Sequence, residues 1–151
     1  MPSGPNTDQT TGAEDKRSMT LSILIVEDNP TNAMILKHLA KKVVDEEIVV
    51  EADASSALAH CHNEQFSLLI VDQILPGMSG LQFAKAIRQL SRYDGVPIVM
   101  VTSDNEPRLR QAARDAGIDD FLTKPVEALA FRQLIANHFS RRNAAPQGEW
   151  I

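Results

Sequence analysis

Four short apolar runs in this 151-residue chain end in side chains that can do chemistry. Ser22–Val26 runs into Glu27-Asp28, Leu68–Val71 into Asp72, Ile98–Val101 into Thr102-Ser103, and Asp120–Leu122 into Thr123-Lys124-Pro125. Brought to one place, these ends supply three carboxylates, a hydroxyl and an ammonium. Carboxylates held close together repel one another. A hard divalent cation, Mg2+ or Mn2+, relieves that repulsion because it takes carboxylate, carbonyl, water and phosphate oxygens as ligands. Lys124 adds a fixed positive charge and Thr102 a hydroxyl donor. Such a set stabilises a phosphoryl group during transfer to a carboxylate, and an Asp nucleophile forms an acyl phosphate. Asp72 is the best placed nucleophile. It ends the run expected at the centre of a sheet, and the loop after it, QILPGMSG, has a proline and two glycines to shape backbone around a ligand. Singly, each acid reads as well as a helix cap or a solvated strand end; their joint position favours a site.

For these residues to meet, the runs must be parallel strands of one sheet. They are continuous and rich in β-branched residues, as strands buried on both faces are, and Ile48–Glu51 adds a fifth. Between and after them lie segments of helical character: Thr31–Val43, Ser55–Asn63, Gly80–Leu90, Pro107–Ala116 and Val126–Phe139. In the last, Leu129, Phe131, Leu134, Ile135 and Phe139 approximate an apolar stripe. Asn29-Pro30 reads as a helix start and Ala116-Gly117 as a stop. Strand and helix alternate as (βα)5, which predicts a three-layer, doubly wound α/β domain around a five-stranded parallel sheet. Ligands of such sheets sit at the carboxyl ends of the strands, where the chemistry-bearing residues fall.

Composition is consistent with one globular domain. The 15 Lys+Arg against 20 Asp+Glu leave a net charge of −5, which argues against non-specific nucleic-acid binding. No apolar run approaches the roughly 20 residues that span a bilayer, and no signal core opens the chain, so a cytoplasmic location without membrane contact is expected. The single cysteine, Cys61, allows no internal disulfide, and His60, Cys61 and His62 are consecutive on a helix and cannot converge on zinc. His38, His60, His62 and His138 all fall on predicted helices and read as surface residues. Arg108, Arg110 and Arg114 share the fourth helix, either as a solvated face or as a partner contact. Residues 1–20 read as a flexible tail, with Met19 an alternative start, residues 21–142 as the folded unit, and residues 143–151, including Trp150, as a tail or linker.

The motifs ILIVEDNPTN, LLIVDQILPGMSG, VMVTSD and FLTKP, in this order and spacing, resemble the receiver domain of bacterial two-component response regulators. The resemblance covers about residues 21–140 and implies a flavodoxin-like (βα)5 fold. It implies that Glu27, Asp28 and Asp72 bind the metal with the backbone carbonyl of Ile74. Asp72 is the implied phosphoacceptor, charged by a phosphohistidine of a sensor histidine kinase or histidine phosphotransfer protein. Lys124 would bridge to the phosphoryl group, across a cis Lys124-Pro125 bond. Thr102 and Phe121 are the implied switch pair, Thr102 moving toward the phosphate and Phe121 turning inward. Their movement would alter the face made by the fourth helix, fifth strand and fifth helix, where an effector domain, a downstream protein or a second copy docks. Ile74 and Asp104 occupy the two positions that tune phosphate lifetime, and Phe121 stands where some members have Tyr.

On this reading the chain is a signalling receiver and not a substrate-turning enzyme. The enzyme-class alternative is a phosphohydrolase with an Asp nucleophile, but such enzymes usually carry a second Asp two residues on as general acid, where Ile74 stands here. A nucleotide- or flavin-binding domain is disfavoured by EDNPTN after the first strand, which is no glycine-rich phosphate loop. The sequence leaves open a stand-alone receiver and an input domain cut before its effector.

Overall fold

The structure is a computed structural model that describes residues 22–44 and 47–148, with the backbone alone for residues 140–148. The segment 1–20 and Trp150 lie outside the described residues. The strands are β1 (Ile23–Val26), β2 (Ile48–Glu51), β3 (Leu68–Asp72), β4 (Ile98–Thr102) and β5 (Asp120–Thr123). The helices are α1 (Pro30–Lys41), α2 (Ala54–Asn63), α3 (Gly80–Ile87), α4 (Pro107–Asp115) and α5 (Ala128–Gly148). All strand pairings are parallel in the order β2-β1-β3-β4-β5, so β3, which ends in Asp72, is central as expected.

Alternation along the strands divides the core into two layers. Leu24, Val26, Leu69, Val71, Ile98 and Met100 pack with α2, α3 and α4 through residues such as Ala57, Phe83 and Ala113. Ile23, Ile25, Leu68, Ile70, Val99 and Val101 pack with α1 and α5 through Leu36, Phe131 and Ile135. β1, β3 and β4 are buried along their whole length, which explains their uninterrupted apolar runs.

Several sequence expectations need correction. Helix α3 stops at Ile87, not Leu90, and the chain turns into a short 3-10 segment, Ser91–Tyr93. The buried Tyr93 fixes that turn: its hydroxyl donates to the Glu64 carbonyl at 2.6 Å and accepts from the Phe66 N–H at 3.1 Å. Leu129 is 56% exposed, so the apolar stripe of α5 begins at Phe131. His138 is buried, not superficial, with Nε2 3.3 Å from Asp120 Oδ2, because α5 lies over β5. Helix α5 runs on to Gly148, past its expected end at Phe139. Ala144, Ala145 and Gln147 favour helix, and extending an existing helix needs no new nucleus.

Candidate functional site

Three loops converge at the carboxyl edge of the sheet. The Glu27 N–H still pairs with the Glu51 carbonyl at 3.0 Å, and its side chain then folds back so that Oε2 accepts the Asn29 N–H at 3.1 Å. Asn29 caps α1, its Oδ1 accepting the Asn32 N–H at 3.0 Å, and Pro30 opens the helix as expected. Asp28, between these two anchored residues, stays exposed. Asp72 is the last residue of β3, in register with Val101, and is 5% exposed.

After Asp72 the chain turns tightly. The Gly80 N–H donates to the Gln73 carbonyl at 3.0 Å, which brings the start of α3 onto the end of β3. A Cβ at Gly80 would stand 2.4 Å from the Asp72 carbonyl oxygen, so this close approach requires glycine. Ser79 and Gln82 close the helix start with a reciprocal capping box.

Lys124 Nζ lies 2.9 Å from Asp72 Oδ1 and 3.9 Å from Glu27 Oε1. The lysine is delivered by β5, whose pairing with β4 continues as the Lys124 N–H donates to the Thr102 carbonyl at 2.9 Å, and its bond to Pro125 is cis. Glu27, Asp28 and Asp72 each place a carboxylate oxygen within 4.8 Å of the others. Glu27 Oε1 is buried without a hydrogen-bond donor. A buried carboxylate oxygen in that condition, facing two further carboxylates, fits a hard cation with oxygen ligands. Burial pushes the Glu27 carboxyl above the usual carboxylate range; the Asn29 N–H opposes this, Asp72 adds to it, Lys124 opposes it and Asp28 adds to it.

This gives a pH prediction. Between the ordinary value of 4.5 and its raised folded value, Glu27 holds more proton in the native than in the unfolded state, so its contribution to stability falls as pH rises through that window. Glu27→Gln removes the titration. In metal-free urea unfolding, the variant should gain stability relative to the wild type as pH rises above 4.5. A constant difference across that range would count against the burial argument.

Thr102 ends β4 and is 2% exposed. Its hydroxyl donates to Gln73 Oε1 and accepts the Asp104 N–H, the latter at 2.9 Å. Asp104 Oδ1 in turn accepts the Glu106 N–H at 2.9 Å, so this carboxylate braces the loop before α4. The Phe121 ring is half-buried under the Arg110 guanidinium, 4.4 Å from its centroid. Arg110 thus has a role within the domain, whereas Arg108 and Arg114 are exposed. Ile74 is 74% exposed beside the site. The structure therefore gathers Glu27, Asp28, Asp72 and Lys124 at one point, with Thr102 and Asp104 reached through Gln73. Sequence reasoning passed over Gln73, since nothing local marks a glutamine for pairing with a threonine 29 residues away.

Of the histidines, His38 and His62 are exposed as expected. His60 is half-buried, with Nδ1 2.7 Å from Glu51 Oε2, and it packs edge-on against Phe66. Among the described residues, no helix is long and apolar enough to cross a membrane.

Residues 23–136 match the response regulator receiver domain family. The chain is 33% identical over 138 residues to the cyclic di-GMP phosphodiesterase response regulator RpfG of Xanthomonas campestris pv. campestris, covering 90% of this chain and 36% of that protein. It is 30% identical over 123 residues to the chemotaxis protein CheY of Pseudomonas aeruginosa, covering 82% of this chain and 99% of CheY. The receiver domain of Saccharomyces cerevisiae Ssk1, solved together with the histidine phosphotransfer protein Ypd1, superposes with a TM-score of 0.74 at 28% identity, covering 82% of this chain and 91% of that one. The matched family, the parallel sheet and the acidic edge agree: the chain belongs to the response regulator receiver domains, the phosphoacceptor modules of two-component signalling.

Proposed function

We propose that Asp72 is the phosphoacceptor of this receiver, charged from a phosphohistidine and read out through Thr102 and Phe121. The observation that carries this is the convergence of three carboxylate oxygens within 4.8 Å, with Lys124 2.9 Å from Asp72. Glu27, Asp28, Asp72 and the Ile74 carbonyl would hold Mg2+ or Mn2+. When bound, the cation offsets charge on the phosphoryl oxygens.

The remaining work falls to the chain. An Asp72 carboxylate oxygen attacks phosphorus as the P–N bond breaks; the electron pair stays on the imidazole nitrogen, which takes up a proton. Lys124 pairs with Asp72 at 2.9 Å, and the buried Glu27 faces the lysine from the other side at 3.9 Å. Transfer adds a group of about −2 charge, for which the Thr102 hydroxyl and Lys124 are the available donors. Engagement of Thr102 loosens the α4 side of the sheet, where Phe121 lies under Arg110. The face of α4, β5 and α5 is then the surface for an effector domain, a downstream protein or a second copy. The donor is a sensor histidine kinase or a phosphotransfer protein, a reading supported by the complex of the Ssk1 receiver with Ypd1. Exposed, apolar Ile74 cannot act as a general acid, which disfavours the phosphohydrolase. We read residues 21–142 as the receiver unit and its setting as cytoplasmic.

The test is incubation with a small phosphodonor and Mg2+, read by intact mass, alongside sizing with and without beryllofluoride. Uptake of one phosphoryl group supports the reading, and no uptake under any divalent cation overturns it. Asp28→Ala should weaken Mg2+ binding about tenfold or more, measured by titration of the unphosphorylated protein; unchanged affinity would remove Asp28 from the cation site.

A further inference from the structure

We propose that Gln73 is a positioning residue that holds the Thr102 hydroxyl in the resting arrangement and so sets how readily the domain switches. The inference rests on the reading of Asp72 and Thr102 above. A threonine hydroxyl has one proton to donate. Here that proton goes to Gln73 Oε1, while the oxygen accepts from the Asp104 N–H. Both capacities are in use at a position only 2% exposed. Thr102 can therefore donate to a phosphoryl oxygen on Asp72 only by giving up Gln73.

The acceptor is held in place by its backbone. The Gln73 N–H donates to the Val101 carbonyl at 3.0 Å, and its carbonyl accepts the Gly80 N–H at 3.0 Å. Gly80 packs against the backbone of Asp72 and Gln73, where a Cβ would not fit. Gln73 is also half-buried, so its amide can turn toward solvent once Thr102 leaves it, at little cost. The exchange is a competition between two acceptors for one proton: the Gln73 amide in the resting state and the phosphoryl oxygen in the charged state.

Removing the amide leaves a buried hydroxyl without an acceptor at rest and satisfied only in the charged state. Gln73→Met keeps the length and approximate volume of the side chain without its acceptor. The experiment is titration with beryllofluoride in saturating Mg2+ of the wild type, Gln73→Met, Thr102→Val and the double variant, with Mg2+ affinity measured alone as a control. Gln73→Met should tighten beryllofluoride binding about fivefold and leave Mg2+ affinity unchanged. Thr102→Val should weaken beryllofluoride binding by about as much. In the Thr102→Val background, Gln73→Met should have no effect, an outcome that a merely structural role for Gln73 would not produce. If Thr102→Val weakens binding but Gln73→Met does not tighten it, the proposal for Gln73 falls and the role of Thr102 stands. Equal tightening in both backgrounds overturns it too, because Gln73 then acts through some other group. If Thr102→Val changes nothing, the reading of Thr102 fails and the role of Gln73 with it.

Discussion

Asp72→Asn should abolish phosphoryl labelling, lowering the initial rate by more than about a hundredfold. The substitution changes no volume and leaves an oxygen where Oδ1 stood, so the end of β3 and its pairing to β4 are kept. What it removes is the negative charge. A neutral amide is a poor nucleophile, and it no longer holds Lys124, whose Nζ lies 2.9 Å from Asp72 and 3.9 Å from Glu27. With Asp72 neutral, the ammonium moves to Glu27, which takes away both the attacking atom and the cation that steadies it. Intact mass after incubation with a small phosphodonor and Mg2+ measures the result, with the urea midpoint as a check on folding. A label that persists in a folded variant would place the acceptor elsewhere, and the exposed Asp28 would be the next residue to test.

The carboxyl edge of the sheet was legible in the sequence because Glu27, Asp28, Asp72 and Thr102 come at the ends of apolar runs that doubly buried strands need, while Lys124 follows the shorter and only partly buried β5. The strand boundaries were less so. Asp72 and Thr102 read as the ends of their strands, and both are in the ladder, opposite Val101 and Thr123, but the sequence did not show that they pair there. That final rung is what fixes their side chains, and a polar residue at the end of an apolar run hides it. His138 carried a usable signal that was passed over: it stands four residues after Leu134 and three after Ile135, on the face that α5 buries. Its partner Asp120 opens β5, and only the packing of α5 on that strand brings them together. Asp104, read as one of the two positions that tune phosphate lifetime, has its carboxylate on the Glu106 N–H. Short polar side chains choose between a site and a nearby backbone donor by loop geometry, which a sequence does not display.

Arg88→Ala should be among the most destabilising single changes in the domain, costing about 3 kcal/mol and on the order of 10 °C in Tm. Arg88 caps the end of α3 at the edge of the sheet opposite the acidic cluster, with a side chain only 22% exposed. Its Nη1 donates to the Tyr93 carbonyl at 2.7 Å, Nη2 to the Val96 carbonyl at 2.9 Å, and Nε and Nη2 to the Gly117 carbonyl at 3.1 and 2.9 Å. Nη2 also meets Asp119 Oδ2 at 2.9 Å, and that oxygen accepts the Ile98 N–H that opens β4. One guanidinium thus joins the end of α3, the turn before β4 and the turn before β5. Gly117, at φ +100°, cannot carry a side chain there, since a Cβ would stand 2.5 Å from Arg88 Cγ. Truncation to Ala takes a donor from each of three part-buried carbonyls, of which that of Tyr93 keeps the Val96 N–H at 3.1 Å. Arg88→Lys keeps the charge, but a single ammonium cannot reproduce the planar fork, so it should recover less than half of the loss. Urea unfolding of the three proteins measures both differences. Folded Arg88→Ala, held at low temperature, should still take up phosphate on Asp72 at close to the wild-type rate, because the acidic cluster lies at the other end of the strands. If labelling fell in step with stability while the protein stayed folded, the two ends of the sheet would be coupled, and Arg88 would belong to the switch.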